Sequence, residues 1–151
     1  MRALAPREGH VVSIPMRPPT DLDWAAMTIK MEAEGEPYEG KLGVAFVIAN
    51  RMRATGRSAA DVVLRPFQFS CWNTTEPTRR RLDDVDTNRA VWAESYKAAA
   101  AALFGLVTDP TRGATSYLNP AVTTAEQERR AGYVRANVRA EIGAHHFFIA
   151  V

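Results

Sequence analysis

A mainly helical α+β domain with one small β element is the fold class this sequence predicts. Three observations carry the expectation. Apolar residues recur at helical spacing in the first and fourth of the helices traced below. Capping residues stand just ahead of helical stretches, at Thr20, Ser58, Thr87 and Thr124. Only near the end, where residues 138–142 and 145–149 flank Gly143-Ala144, does the chain read as a hairpin.

Taken in order, residues 1–20 form an irregular arm, because Pro6, Pro15, Pro18 and Pro19 forbid a long helix or central strand. Thr20-Asp21-Leu22-Asp23 then supplies capping oxygens and early acids. Leu22, Ala25, Ala26, Ile29 and Ala33 make one apolar stripe, which Gly35 ends, and Pro37 opens the next helix. That second helix, about 37–53, is apolar nearly all round and belongs at the domain centre. Ser58 to Asp61 caps a short helix that should stop near Arg65, because Pro66 follows. Residues 66–73 are aromatic without period and read as a loop or short strand, and 74–86 should be solvated. Thr87 caps a long helix over about 88–107, with Val91, Trp92, Tyr96, Ala99, Leu103 and Leu106 toward the core. A turn over 108–113, an extended or irregular stretch over 114–120 and a short helix from Thr124 precede the hairpin.

The chain has 151 residues, 46% apolar and 24% charged, which fits one globular domain, taken as 21–151 after the arm. No apolar run approaches the ~20 residues of a membrane span, so stable membrane insertion is not expected. A net charge of +2 gives no basis for nucleic-acid binding, although a pI near 8.9 suits approach to an anionic surface. The arm lacks the apolar core of a secretory signal and Cys71 is the single cysteine, so a cytoplasmic location is expected.

Glu32 looks misplaced. It lies at the edge of the first helix's apolar stripe and in its last turn, where the backbone dipole disfavours a negative charge. Such a setting suits a carboxyl that donates a proton. A surface glutamate in an acidic cluster with Glu34, Glu36 and Glu39 fits the same spacing.

The stretch from Met31 through Glu32, Gly35-Glu36-Pro37, Gly40 and Gly43 to Asn50-Arg51 resembles the signature of the SleB-type cell-wall hydrolases, found in spore cortex-lytic enzymes and phage endolysins. Three further segments resemble that family in order: 67–73, then 109–115 with Tyr117 and Asn119-Pro120, then Ile142-Gly143 with His145 and Phe147. The resemblance implies a lysozyme-like fold and cleavage of the MurNAc–GlcNAc β-1,4 bond in peptidoglycan strands. It makes Glu32 the catalytic acid and points to lytic transglycosylation ahead of plain hydrolysis. No cofactor is expected, and no metal, because His145 and His146 are adjacent strand residues that face opposite ways. Without a secretory signal or wall-binding domain, an endolysin released to the wall by a holin is expected. The sequence departs from the family pattern at Met31, Glu34 and Ser116.

Around the acid, Gln68, Phe69, Ser70 and Trp72 are candidates to line a sugar cleft, by stacking or by amide and hydroxyl hydrogen bonds. Phe67 fits packing better. Tyr117 and Asn119 are candidates for orienting an acetamido group, with a plain turn before Pro120 as the alternative for Asn119. Glu36 and His145 are supporting candidates. Cys71 with His145 would instead suit a cell-wall amidase or endopeptidase, and a non-catalytic wall-binding or virion module is a third reading.

Overall fold

The computed structural model describes residues 17–66, 68–73 and 82–150; most of the predicted arm, Phe67 and the triple arginine lie outside them. Helix α1 (Asp21–Ala33) starts at a capping box, in which the Thr20 side chain accepts from the Asp23 N–H and the Asp23 carboxylate accepts from the Thr20 N–H. Its expected stripe is inside: Ala25, Ala26, Ile29 and Ala33 are all buried. Helix α2 (Tyr38–Thr55) is buried at every residue from Gly40 through Ala49, as its all-round apolar character requires, and Gly56 ends it in the left-handed region at φ 68°. Inside that run Lys41 donates to the Glu36 carbonyl at 3.0 Å and pairs with Glu94 at 2.7 Å. Each fully buried valine or isoleucine of α2 contributes roughly 1.5–3 kcal/mol of transfer free energy. Helix α3 (Ala59–Val63) is capped by Ser58 as expected, its side chain accepting from the Asp61 N–H.

Two expectations fail around helix α4 (Arg89–Leu103). It stops at Leu103 rather than near Val107, because Gly105 takes φ 64° and the Leu106 N–H turns back to the Ala101 carbonyl at 2.9 Å. This is the Schellman arrangement that a glycine after a helix favours, and it leaves Leu106 67% exposed rather than in the core. At the other end Asn88, not Thr87, is the N-cap residue. The expectation of a solvated 74–86 segment also fails at Asp84, while 74–81 lie outside the described residues. Asp84 accepts from the fully buried Lys30 at 2.6 Å, from the Trp92 indole at 2.9 Å and from Asn88 at 3.1 Å. The sequence hides this because the partners lie on other elements.

Beyond α4, the irregular stretch includes β1 (Ser116–Leu118), Thr124 and Gln127 box the start of α5 (Ala125–Arg130), and β2 (Val138–Ile142) and β3 (His145–Phe148) form the hairpin. The sheet is antiparallel with order β1-β3-β2, Tyr117 facing Phe147 and Ile142 facing His145. Alternation therefore puts Tyr117, His145 and Phe147 on one face. That face rests on α2: a Cβ at Gly43 would run into the Phe147 ring, so the glycine sets how close sheet and helix lie.

Candidate active site

Glu32 lies in the last turn of α1, half-buried, with both carboxylate oxygens occupied. A 3-10 turn over Ser70–Trp72 runs alongside this helix. Trp72 donates its indole N–H to Thr28 Oγ1 at 2.9 Å, and one helical turn later the Cys71 backbone N–H donates to Glu32 Oε1 at 3.1 Å. From the opposite side β1 delivers Tyr117, whose hydroxyl donates to Oε2 at 3.0 Å. Burial first, and the Glu32 carboxylate second, push the Tyr117 phenol well above its usual range, so it remains a donor at working pH.

Behind Tyr117 sits His145, edge-on with ring centroids 5.0 Å apart. Burial pushes its imidazole down, against the opposing pull of Glu36 and Glu32, which favours the neutral ring. Its Nδ1 lies 3.5 Å from Glu36 Oε1 but makes no hydrogen bond among the described residues. Glu36 owes its place to two glycines. A Cβ at Gly143 would collide with its Oε2, and one at Gly40 would lie 3.1 Å from its Cβ. Gly143 also sits at φ 57°, which a two-residue hairpin accepts most readily from glycine.

Tyr117 is positioned by the loop before it. The Asp109 carboxylate accepts from the Thr111 N–H at 2.8 Å, the Thr111 hydroxyl at 2.7 Å, the Gly113 N–H at 2.9 Å and Asn50 on α2 at 2.9 Å. Burial pushes this carboxyl up, but the four donors outweigh it and hold it below its usual value. Asn50 also donates to the Ala114 carbonyl, and Arg51 Nε donates to that of Thr115 at 2.5 Å, so α2 grips the chain just ahead of β1.

The predicted residues separate accordingly. Glu32, Tyr117, His145 and Glu36 come together, and Gln68 and Ser70 are exposed beside them. Phe69 departs from the expected sugar-stacking face: it is 3% exposed, inside the core and under the Arg51 guanidinium. Trp72 is half-buried, with its N–H held by Thr28 and its ring 5.2 Å from Trp24. Asn119 takes the turn alternative, its Oδ1 accepting from the Ala121 N–H at 3.0 Å. The Cys71 thiol is buried, and what the residue offers Glu32 is its backbone.

Two contributors escaped the sequence reading. One is that backbone N–H, which no residue identity announces. The other is Arg51, whose guanidinium lies 5.1 Å from the Phe69 ring with Nη1 buried and unpartnered. Its signal was available: four residues after the sheet-facing Val47, it falls on the same face of α2. A hollow of about 870 Å³ opens beside Tyr117, walled by Arg51, Gln68, Gln127, Arg129 and Arg130.

Comparison with known proteins gives four matches. A family model described as Cell Wall Hydrolase matches residues 35–148, a span that begins just after Glu32 and includes Glu36, Tyr117 and His145. The spore cortex-lytic enzyme of Halalkalibacterium halodurans is 31% identical over 113 residues, covering 70% of this chain and 29% of that protein, so the chain spans under a third of that relative. Among solved structures, the catalytic domain of the germination-specific lytic transglycosylase SleB from Bacillus anthracis aligns with a TM-score of 0.63 at 24% identity, over 89% of this chain and 98% of that one. The catalytic domain of the Bacillus cereus SleB protein aligns with a TM-score of 0.62 at 25% identity, over 93% and 98%. The fold is thus the lysozyme-like α+β type that the sequence led us to expect.

Proposed function

The chain belongs to the cell wall hydrolase family, and from that premise we propose that it cleaves peptidoglycan glycan strands as a lytic transglycosylase acting on the MurNAc–GlcNAc β-1,4 bond. The observation that carries the reading is the single carboxyl of Glu32, held from both sides by the Cys71 N–H and the Tyr117 hydroxyl. Protonated, it donates to the glycosidic oxygen as the bond from that oxygen to the muramyl C1 breaks. The 6-hydroxyl of the same muramyl residue then attacks C1 and returns its proton to Glu32. One C–O bond breaks, one forms, no water is consumed, and a 1,6-anhydro end results. While Glu32 is an anion its two donors stabilise it, and Tyr117 stays protonated to do so.

One carboxyl suffices for this route, whereas a retaining hydrolase needs a second about 5 Å away. The other candidate acids sit in different settings. Asp84 is held by Lys30, which lies about 200° around α1 from Glu32. Asp83 and Asp86 are exposed, and Glu36 is wedged against Gly40 and Gly143. A phage-type lytic role, with a holin opening the way to the wall, belongs to the same proposal. Cells expressing the chain in the cytoplasm should then stay intact until the membrane is permeabilised.

Mass spectrometry of digested sacculi tests the chemistry. Wild type should release anhydromuropeptides and Glu32→Gln should not. A reducing muramic end would mean hydrolysis. New amino termini on intact glycans would replace the reading with an amidase, and binding without cleavage would replace it with a wall-binding module.

A further inference from the structure

We propose that the hollow beside Tyr117 is a carboxylate subsite that receives the lactyl-peptide substituent of the muramyl residue being cleaved. The proposal rests on the glycosidase reading and names which part of that substrate fills the space.

Charge is the first argument. Three guanidiniums, those of Arg51, Arg129 and Arg130, line the hollow, and no Asp or Glu stands among its described lining residues. Arg130 is partly neutralised by Glu126 at 2.6 Å. Arg51 is not: among the described residues it carries no ion pair, and Nη1 is buried without an acceptor. Buried donors without acceptors are uncommon in native folds and ask what satisfies them. Arg51 forms part of the wall, so the hollow borders the side chain that carries this donor. A planar fork of N–H donors matches a carboxylate two bonds at a time, which an ammonium cannot do.

Position is the second argument. Tyr117 lines the hollow and also donates to Glu32, so a single residue links the space to the proposed acid. The muramyl residue whose C1 meets Glu32 carries its lactyl ether on C3 of the same ring. The substituent therefore starts within one sugar ring of the acid and must run into a neighbouring space. At about 870 Å³ the hollow exceeds what one sugar ring needs and accommodates a short peptide.

Chemistry is the third. The N-acetylated sugars of the strand are neutral, and its anionic groups are the carboxylates of the stem peptide, or the lactyl carboxylate once the peptide is removed. Gln68 and Gln127 add amide donors and acceptors suited to peptide bonds. The guanidiniums thus face the charged part of an otherwise uncharged polymer.

The test compares kcat/KM on glycan strands bearing stem peptides with the same strands stripped by a muramoyl-alanine amidase. Wild type should prefer the peptide-bearing strands by about tenfold, the order of one charge-assisted contact. Arg51→Gln and Arg129→Gln should each shrink that preference at least threefold, chiefly through KM. Arg129 is exposed, so its variant decides the matter if the Arg51 variant fails to fold. Equal rates on both substrates, or a preference untouched by Arg129→Gln, would overturn the subsite while leaving the glycosidase standing. A preference for stripped strands that both variants abolish would move recognition to the lactyl carboxylate and overturn the peptide assignment. Cleavage of neither substrate would overturn the glycosidase reading and this inference with it.

Discussion

Two ends of helix α1 treat a carboxyl in opposite ways. At the start, Asp23 accepts from the Arg17 guanidinium at 2.5 Å, from Thr20 and from the Tyr96 hydroxyl at 2.8 Å. The Arg17 contact, aided by the Thr20 and Tyr96 donors against burial, holds it far below the usual carboxylate range. At the finish, Glu32 is met by a backbone N–H and a phenol, and among the described residues it forms no ion pair with a Lys or Arg. Asp84, which pairs with Lys30 in the last turn of the same helix, follows the Asp23 pattern. A carboxyl that holds the fold together is matched to a cation and locked in one charge state. One that must give and regain a proton is better held by neutral donors, because no ion pair breaks when its charge changes.

The sharpest way to break this comparison is to make both substitutions. Glu32→Gln should lower peptidoglycan cleavage by about 10²–10⁴-fold, the range for a lost general acid, with the thermal midpoint little changed. Asp84→Asn should do the reverse, lowering the midpoint by several degrees because it removes the carboxylate 2.6 Å from the fully buried Lys30, while folded enzyme keeps its rate. If the two variants behave alike in melting and in assay, the division between holding and reacting carboxyls is wrong.

A smaller effect tests the neutral donors. Tyr117→Phe removes one hydrogen bond from Glu32 and leaves the ring on Phe147 and His145. We expect kcat to fall about tenfold, as for one hydrogen bond to a charged group, with KM nearly unchanged. A change confined to KM would make Tyr117 a sugar contact instead.

Much of the fold was legible because its signals are local. Thr20 with Asp23, Ser58, and Thr124 with Gln127 each satisfy helix-start amides within three residues, and Gly143 marks the hairpin by itself. At the end of α4 the sequence held two conflicting signals, Gly105 for stopping and Leu106-Val107 for continuing. The glycine prevailed because its φ of 64° closes the Schellman bonds. The site was legible only in part. Glu32 could be singled out by position along its helix, but nothing in one dimension places Tyr117 against it. That contact depends on Gly43 letting Phe147, and with it the sheet, rest on α2, and on Asp109 fixing the loop into β1. Asp84 was read as solvated because its cation lies 54 positions earlier in the chain.

The smallest effect expected is in acid stability, and it separates the two kinds of carboxyl most cleanly. Asp84 is held at about 2 in the folded chain, below its ordinary 3.8, first by the Lys30 hydrogen bond and then by Trp92 and Asn88, which together outweigh burial. A depressed carboxyl contributes stability that is fully present above its unfolded value and is lost as pH falls through the folded one. The thermal midpoint should therefore be flat down to about pH 4 and decline toward about pH 2, with Asp23 acting in the same direction. In Asp84→Asn the curve should start lower and decline less steeply, because that proton-linked contribution is gone. The pH profile of cleavage should not shift between the two proteins. Parallel melting curves would show that Lys30 is compensated elsewhere, and a shifted activity profile would show that the Asp84–Lys30 pair reaches the acid along α1.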